Sequence, residues 1–414
     1  MEEKYLRAKE KLEKYGQEKI LNNYEKLSDE KKKKLLEDIL DTDFGQVNEL
    51  YKKVNKDNKL ENLKIEPISY VDKSKLSEEE RKYYDEIGER IIKNGEYAVV
   101  TMAGGQGTRL GHSGPKGTYD IGLPSHKSIF EILSDTIKSA SQKYNVKIQW
   151  YIMTSRENNK ATIEFFESKN YFDYGKENII FFIQGELPML DNDGKVFLDE
   201  NGKMKKASDG HGGIFSIMKN SGIIDDIKRK NIRWVYIGGV DNILAKMVDS
   251  TFVGLAIDKK VLAAGKSLVK ACPEEKVGVF CKKNGKPGVV EYTEISTEMS
   301  EERDENGELK YGESHILCNL FNIEVIEKMS KEKVPYHIQY KKSNYIDENG
   351  NIVISDKPNA YKFEAFIFDF FEKLDDIAIL RVKREEEFAP IKNKEGVDSP
   401  ETAREMYIEN QKQK

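Results

Sequence analysis

The chain has 414 residues, 38% of them hydrophobic and 34% charged, and a formal net charge of −5. This size and balance predict an ordinary protein of two or three domains, without the basic patch that nucleic-acid binding requires. No run of about 18 apolar residues occurs and the first residues lack an apolar segment, so neither a membrane span nor a signal peptide is predicted. Three cysteines without metal-ligand spacing predict reduced thiols and a cytoplasmic location.

The first region, residues 1–95, is highly charged and predicted to be helical. Ser28 precedes the segment DEKKKKLLEDIL, whose leucines and isoleucine share one helix face. Ser77 precedes a second helical segment that stops at Gly95. Because serine is a favoured N-cap and glycine a favoured helix stop, both segments predict helices.

The second region, residues 96–345, is predicted to be an α/β domain. Short apolar runs such as YAVVTM, IQWYIMT and WVYIGG alternate with helical segments, NILAKMV among them. Runs that are apolar on both faces are typical of buried parallel strands, so the alternation predicts a mixed, mainly parallel sheet. Residues 276–295 predict an antiparallel hairpin on this sheet.

The third region, residues 346–414, is predicted to be a small C-terminal part. Its segment FEAFIFDFFEKL predicts an amphipathic helix that begins near Lys362, and its segment AILRVK predicts a strand. Taken alone, Lys362 would be interpreted as a solvated lysine.

A glycine-rich loop, AGGQGTRLGHSGPKG, occupies residues 103–117 after the first strand of the second region. Glycines allow the backbone to turn tightly and to present N–H groups to an anion. A Walker A loop needs Gly-Lys followed by Ser or Thr, and a dinucleotide fingerprint needs a third glycine at position 110, which is leucine; both patterns fail. The loop matches the nucleotidyltransferase pattern G-G-x-G-T-R-L followed by P-K.

Arg109 and Lys116 are the candidate catalytic cations of this loop. When a phosphate oxygen attacks the α-phosphorus of a nucleoside triphosphate, charge builds on the departing pyrophosphate, and fixed cations stabilise it. The alternative is a structural turn with an exposed arginine and lysine. Agreement at so many positions of the pattern favours the catalytic interpretation.

Further motifs follow along the chain, namely Gln184–Pro188, Asp209–Gly213, Val240–Lys246, Val289–Ile295, Pro358–Glu364, Arg384–Asn393 and Ser399–Arg404. Together with the glycine loop, they resemble the motifs of the eukaryotic-type UDP-sugar pyrophosphorylases, and most closely those of the UDP-N-acetylhexosamine pyrophosphorylases. The resemblance covers residues 95–405. It implies a Rossmann-like sheet of the nucleotide-diphospho-sugar transferase type.

Asp241 follows an apolar run at the predicted carboxyl edge of the sheet. A carboxylate there suits Mg²⁺ held against phosphates, although an aspartate also caps helices, and the two roles are compatible. The resemblance implies that Asp241 is a ligand of Mg²⁺, the expected cofactor.

The resemblance also implies a set of binding residues. For the nucleotide it implies Ala103, Gly104, Gly105, Gln184 and Gly210, and for the sugar it implies His211, Glu291 and Asn319. It makes Lys362 a phosphate-contacting catalytic residue. The amide of Gln184 suits a pyrimidine edge, and glycines beside His211 suit close approach of a base or sugar.

Two positions depart from the family pattern. Position 211 is histidine, as in UDP-glucose and broad UDP-sugar enzymes, whereas the N-acetylhexosamine enzymes usually have asparagine. The context of Asn319, LCNLFN, differs from the usual G-N-I-A.

The remaining histidines lack metal-ligand spacing and are interpreted as surface or packing residues: His112, His126, His315 and His337.

The sequence thus predicts a uridylyltransferase that makes a UDP-sugar and pyrophosphate from UTP and a sugar 1-phosphate, with N-acetylglucosamine 1-phosphate expected first. The alternative within this class is a UDP-glucose, UDP-galactose or broad UDP-sugar enzyme. A non-catalytic nucleotide-sugar sensor is the alternative from another class, and a dinucleotide-dependent oxidoreductase is disfavoured by the glycine spacing. No nucleic-acid or membrane partner is predicted, and the sequence leaves the oligomeric state open.

Overall fold

The computed structural model describes residues 1–54, 63–333, 335–347 and 349–412. The chain folds as two compact units. Unit 1 comprises Met1–Lys59, Gly185–Gly213 and Val334–Ile367, and unit 2 comprises Leu60–Gln184, Ile214–Lys333 and Phe368–Lys414. The three predicted regions, 1–95, 96–345 and 346–414, are each continuous in sequence, whereas unit 1 is assembled from three separated segments.

The α-helices of the described residues are α1 (Glu2–Tyr15), α2 (Asp29–Asp41), α3 (Phe44–Tyr51), α4 (Glu78–Lys93), α5 (Ile129–Tyr144), α6 (Asn159–Ser168), α7 (Ile214–Asn220), α8 (Ile223–Arg229), α9 (Ser250–Asp258), α10 (Thr297–Glu301), α11 (Ile323–Met329), α12 (Arg384–Glu387) and α13 (Pro400–Lys412). The strands are β1 (Ile65–Pro67), β2 (Val71–Asp72), β3 (Tyr97–Met102), β4 (Gln149–Thr154), β5 (Ile179–Ile183), β6 (Glu186–Pro188), β7 (Lys206–Ser208), β8 (Trp234–Gly239), β9 (Ala263–Val269), β10 (Val279–Lys283), β11 (Lys286–Val290), β12 (Glu313–Asn322), β13 (His337–Lys341), β14 (Tyr345–Ile346), β15 (Ile352–Val353), β16 (Ala360–Glu364) and β17 (Ala378–Arg381).

The central sheet of unit 2 is mixed and mainly parallel, which confirms the predicted fold class. Eight of its eleven strands lie in the order β2-β17-β9-β12-β8-β3-β4-β5, and β1, β10 and β11 join it beside β12. On this path β12 runs antiparallel to its neighbours β9 and β8, and the other neighbours pair in parallel. The carboxyl ends of β3, β4, β5 and β8 therefore meet at one edge, where α/β sheets bind their ligands.

The strands of this sheet form because they are apolar on both faces. Every residue of β3 and of β4 is buried. Phe130 of helix α5 belongs to the same hydrophobic core as Val99 of β3 and Trp150 of β4. The first turn of α5 carries a capping box in which Ser128 and Glu131 satisfy each other's backbone N–H groups. The predicted hairpin is confirmed, since β10 and β11 pair antiparallel.

The N-terminal segments form the predicted helices. Ser28 caps α2, whose Leu35, Leu36 and Ile39 are buried in the core of unit 1. In unit 2, Ser77 caps α4 through a second capping box. The amphipathic patterns therefore identified both helices correctly.

Two local predictions were wrong. Residues 242–248 form turns rather than a helix, because the side chain of Asn242 binds the backbone of residues 387 and 389. Lys362 lies within β16, opposite Gln339 of β13, and not at the start of a helix. The turn that follows β16 is a 3₁₀ helix, Ile367–Lys373.

Two features of the composition also appear in the fold. Cys272, Cys281 and Cys318 are free thiols, as predicted. Among the described residues, no helix combines the length and the apolar character that crossing a bilayer requires.

Candidate active site

The glycine loop leaves the carboxyl end of β3 and folds back on itself. The N–H of Ala103 donates to Met153 O of β4 at 2.7 Å, which fixes the start of the loop. Gly107 N–H donates to Gly114 O at 2.9 Å, and Lys116 N–H donates to Gly105 O at 3.1 Å. The fold of the loop therefore brings Lys116 back beside the glycines that begin it.

Gly104 and Gln184, both predicted to bind the nucleotide, lie in contact. A Cβ added at Gly104 would lie 2.4 Å from Oε1 of Gln184, so a larger residue at 104 would displace this amide. Gln184 sits just beyond β5, and its N–H donates to Thr154 O at 2.8 Å. The structure thus places a buried amide against the glycine loop at the carboxyl edge of the sheet.

Asn158, which was not predicted as a site residue, supports this loop. Its Nδ2 donates to Ala103 O at 2.9 Å and to Gly105 O at 3.2 Å, and the residue is fully buried. The available signal was an asparagine between β4 and α6, directly before the helix, because asparagine side chains at such positions bind nearby backbone groups.

Lys116 lies among charged groups of unit 2. Burial lowers the pKa of Lys116 below its ordinary value, Asp241 opposes this shift, and Lys392 and Arg109 add to it. Lys116 is half-buried and Arg109 is exposed. The structure therefore brings Arg109, Lys116 and the predicted metal ligand Asp241 together, and adds Lys392, which lies in the motif Arg384–Asn393 but was not singled out.

Asp241 stands beside the glycine loop because β8 and β3 are neighbours. Val240 N–H donates to Met102 O at 3.1 Å, across the ends of the two strands. On its other side, Ile391 N–H donates to Asp241 O at 2.9 Å. The C-terminal segment thus holds the Asp241 turn from outside the sheet.

Asn242 makes this attachment specific. Its Nδ2 donates to Glu387 O at 2.8 Å, and its Oδ1 accepts from Ala389 N–H at 2.9 Å. Both bonds are buried, so a change of this side chain would leave backbone groups unpaired. Asn242 therefore positions the neighbouring Asp241.

A buried ion network continues from Glu387. Lys266 Nζ donates to the carboxylates of Glu387 and Asp249, with 2.7 Å to Asp249, and Lys73 Nζ lies 2.7 Å from the same aspartate. Burial would raise the pKa of Asp249, but Lys266 and Lys73 outweigh it and hold this pKa well below its ordinary value. Buried charges of this kind depend on one another, because each compensates the desolvation of its partners.

The predicted sugar residues Glu291 and Asn319 are connected through two other residues of unit 2. Asn319 lies in β12 opposite Ile237 of β8 and is fully buried. Its Oδ1 is 3.0 Å from the ring nitrogen Nε2 of His315. The backbone N–H of His315 donates to Gly278 O at 2.8 Å. A Cβ added at Gly278 would lie 3.0 Å from Oε1 of Glu291.

In unit 1, the segment around Gly210 and His211 packs on the segment that follows β16. Gly212 N–H donates to Ala365 O, and Ala365 N–H donates to Asp209 O, each at 2.8 Å. Gly210 has a φ of 83°, and a Cβ there would lie 2.2 Å from Ala365 O, so packing by itself requires glycine. His211 Nδ1 accepts from Ile367 N–H at 3.1 Å, which leaves the proton of a neutral ring on Nε2.

Lys362 belongs to a small charged cluster of unit 1. Its ammonium group is paired with Glu364, two residues along β16 and on the same face of the strand. Burial raises the pKa of Asp209 to about 6, with Glu186 adding to the shift and Lys362 opposing it. Unit 1 thus gathers Gly210, His211 and Lys362, while unit 2 gathers the other predicted residues.

The donors around Asp241 fit Mg²⁺ rather than a protein-enclosed metal. Among residues 1–54, 63–333, 335–347 and 349–412, no group of three or more His, Cys, Asp or Glu side chains could hold a metal. Asp241 is a single, half-buried carboxylate next to a phosphate-type loop. Mg²⁺ is commonly bound by one or two carboxylates together with substrate phosphates and water, so this donor set is suitable.

A family model described as UTP–glucose-1-phosphate uridylyltransferase matches residues 42–398. The chain belongs to this family. It is 38% identical to the probable UDP-N-acetylglucosamine pyrophosphorylase of Dictyostelium discoideum, over 94% of this chain and 84% of that protein. It is 39% identical to the UDP-N-acetylglucosamine pyrophosphorylase of Saccharomyces cerevisiae, over 96% of this chain and 85% of that protein.

The structure of this uridylyltransferase family member also resembles a solved one. The UDP-N-acetylglucosamine pyrophosphorylase of Trypanosoma brucei, crystallised with an inhibitor, superposes with a TM-score of 0.85 at 28% identity, over 99% of this chain and 85% of that chain. The family resemblance and the nucleotidyltransferase class predicted from the sequence are confirmed. The roles of the individual site residues stay predictions.

Proposed function

We propose that the protein catalyses the reaction of UTP with N-acetylglucosamine 1-phosphate to give UDP-N-acetylglucosamine and pyrophosphate. The observation that carries the proposal is the cluster at the carboxyl edge of the unit 2 sheet. There the glycine loop, the buried amide of Gln184 and the charges of Lys116 and Asp241 lie together. Loop and amide suit a nucleoside triphosphate, and the charges suit transfer at its α-phosphorus.

The choice of sugar is supported by the curated relatives. Proteins 38% and 39% identical to this chain over most of its length are named for UDP-N-acetylglucosamine. Solved UDP-glucose pyrophosphorylases, such as one from Leishmania major, share only 16% identity with it and support the fold alone.

In the proposed mechanism, the protein aligns two substrates and stabilises charge, and no enzyme nucleophile takes part. An oxygen of the sugar phosphate forms a bond to the α-phosphorus of UTP while the bond from that phosphorus to the bridging oxygen breaks. Pyrophosphate departs with the electron pair. Arg109 and Lys116 neutralise the charge that develops on it, and Lys362 supplies a further cation for phosphate.

Mg²⁺ is part of the proposal, with Asp241 as its protein ligand. When bound, the ion would neutralise phosphate charge and help to orient the triphosphate. The contribution of the chain is to hold Asp241 in place: Ile391 N–H donates to the backbone carbonyl of Asp241, and the side chain of Asn242 anchors the turn. The burial that lowers the pKa of Lys116 would also strengthen the interaction of its ammonium group with phosphate.

The nucleotide and sugar contacts complete the proposal. Ala103, Gly104 and Gly105 approach the nucleotide through their backbone, and Gln184 binds the pyrimidine edge. In unit 1, Gly210 faces the base and His211 contacts the sugar. Glu291 and Asn319 of unit 2 bind sugar hydroxyl groups. We place the enzyme in the cytoplasm.

A second candidate is a UDP-glucose or broad UDP-sugar enzyme, and His211 is the observation that favours it. Histidine is usual at this motif position in the UDP-glucose and broad UDP-sugar enzymes, whereas asparagine is usual in the N-acetylhexosamine enzymes. The side chain is held by Ile367 N–H, so its identity affects a defined geometry. A non-catalytic sensor is disfavoured, because a sensor has no need for cations directed at a leaving group.

The test is pyrophosphate release from UTP and Mg²⁺ with N-acetylglucosamine, N-acetylgalactosamine, glucose and galactose 1-phosphates. The highest kcat/KM is expected for N-acetylglucosamine 1-phosphate, and a higher value for glucose 1-phosphate would establish the second candidate. If none of the four sugar 1-phosphates releases pyrophosphate, the non-catalytic sensor becomes the favoured function. Arg109→Ala and Lys116→Ala should each lower kcat by a far larger factor than they weaken uridine binding. Near-normal turnover in both variants would exclude Arg109 and Lys116 from the mechanism.

A further inference from the structure

His315 was interpreted from the sequence as a surface or packing residue, yet its side chain contacts Asn319, one of the predicted sugar residues of unit 2. Its ring nitrogen Nε2 lies 3.0 Å from Oδ1 of Asn319. Its backbone N–H binds Gly278, the residue against which the carboxylate of Glu291 lies. His315 therefore connects the two predicted sugar-binding side chains.

The backbone at this point is built for a local purpose. The pairing of β12 with β9 shifts register between His315 and Asn319, and Leu317 between them has a φ of 54°. A leucine in the left-handed region is strained, and such strain persists where the surroundings over-determine it. The bulge brings residues 315 and 319 of one strand together, so that a side chain four residues away reaches the Asn319 amide.

Aromatic rings fix the orientation of the imidazole. Phe280, Phe368 and Phe371 meet it nearly edge-on, with ring centroids 5.0, 5.3 and 6.5 Å away. Burial lowers the pKa of His315 to about 4, although the bond to Asn319 opposes the shift, so the ring is neutral near pH 7. A neutral ring with one nitrogen donating has the other as an acceptor.

The hydrogen bond to Asn319 decides which nitrogen that is. Because Oδ1 of an amide only accepts, Nε2 carries the proton and Nδ1 has the lone pair. The residue is half-buried, and its hydrogen bond to Asn319 is only partly buried. Within the described residues, the Nδ2 group of Asn319 is buried without a hydrogen-bond partner, which marks the pair as a polar arrangement incomplete within the chain.

We propose that His315 is a sugar-binding residue, accepting through Nδ1 a hydrogen bond from the sugar 1-phosphate. Its partner is a hydroxyl or acetamido N–H, the donors that such sugars carry. With the Glu291 carboxylate, this gives the site two acceptors of different geometry. Asn319 keeps the ring in the accepting tautomer. The proposal deepens the function proposed above and rests on it.

The experiment compares wild type with His315→Phe, which keeps an aromatic ring and removes both nitrogens, and with His315→Gln, which keeps polar atoms able to reach Asn319. For His315→Phe we expect KM for the sugar 1-phosphate to rise about tenfold, as loss of one buried hydrogen bond implies, and KM for UTP to stay within about twofold. His315→Gln should fall between the two. His126→Phe, at an exposed histidine, is the matched control.

The outcomes separate the two claims. If wild type forms UDP-sugar and both variants keep its KM for the sugar 1-phosphate, the role of His315 is refuted and the proposed function stands. If the KM values for UTP and the sugar rise together with a fall in Tm, His315 is structural, which also refutes the inference. If wild type forms no UDP-sugar, the proposed function fails and the inference fails with it.

Discussion

Asp209 provides a stability prediction with a defined dependence on pH. Its carboxyl is buried in unit 1, and Oδ1 has no hydrogen-bond partner among the residues that the structure describes. Burial raises its pKa from 3.8 to about 6. The folded protein therefore binds this proton more tightly than the unfolded chain does, so the free energy of unfolding falls as the pH rises from about 4 to above about 6.

The pKa difference sets the size of this loss. A rise of about two units, at about 1.4 kcal/mol per unit, gives about 3 kcal/mol of stability that is present in acid and absent at neutral pH. Asp209→Asn is neutral at every pH and removes this component. The amide of Asp209→Asn would also be buried without a hydrogen-bond partner, and this changes stability by the same amount at every pH. The quantity to measure is therefore the pH dependence of stability in wild type compared with that in the variant.

Hydrogen exchange followed by mass spectrometry measures the effect locally. Peptides that cover residues 204–213 and 360–367 report on the bond from Ala365 N–H to Asp209 O. Between about pH 4.5 and about pH 7.5, their opening free energy should fall by about 2 kcal/mol more in wild type than in Asp209→Asn. Asp193→Asn, at an exposed aspartate of unit 1, is the control. Equal pH dependence in wild type and Asp209→Asn would refute the raised pKa.

Three further predictions follow from the site. Because burial lowers the pKa of Lys116, kcat should decline in alkali before an ordinary lysine would lose its proton, and Lys116→Arg should move the decline to higher pH; coincident pH–rate profiles would contradict this. Lys266→Met leaves Asp249 and Glu387 buried without their shared lysine, so urea unfolding should show a loss of about 3–5 kcal/mol, and unchanged stability would contradict a coupled network. His211→Asn keeps an acceptor for Ile367 N–H, so Tm should stay nearly constant. Because asparagine is usual at this position in the N-acetylhexosamine enzymes, the ratio of kcat/KM for N-acetylglucosamine 1-phosphate over glucose 1-phosphate should rise in this variant. An unchanged ratio would exclude position 211 from sugar selection.

The parts of the structure that follow from local patterns could be predicted from the sequence. Apolar runs identified the mainly parallel sheet, because strands buried on both faces leave a continuous signal. The glycine spacing and the Pro115-Lys116 pair distinguished the loop from other phosphate loops. The serine caps of α2 and α4 were recognisable because capping uses residues close in sequence.

Features that depend on distant residues could not be predicted in this way. The segment after Lys362 has helical periodicity, yet Lys362 pairs as a strand with Gln339, a residue of β13. The segment after Asp241 also has helix-forming residues, but bonds from Asn242 to the backbone near residue 388 hold it as turns. In both places tertiary contacts outweigh local propensity.

Buried polar groups were the hardest to foresee. The sequence shows Lys266 and Glu387 as two charges 121 positions apart, and only the fold makes them an ion pair. His315 reaches Asn319 because a bulge shortens the distance between them, which no periodicity reveals. The resemblance to known enzymes pointed to Asn319 and not to the histidine that holds its amide.

The central claim, direct transfer of uridylyl from UTP to a sugar phosphate, is tested most directly by the stereochemistry of the reaction. UTP with a single thio-substituted configuration at the α-phosphorus is incubated with N-acetylglucosamine 1-phosphate, Mg²⁺ and the protein. One in-line displacement predicts UDP-N-acetylglucosamine with inverted configuration at that phosphorus. Retained configuration would require a covalent uridylyl-enzyme, and either that result or the absence of a UDP-sugar would contradict the account.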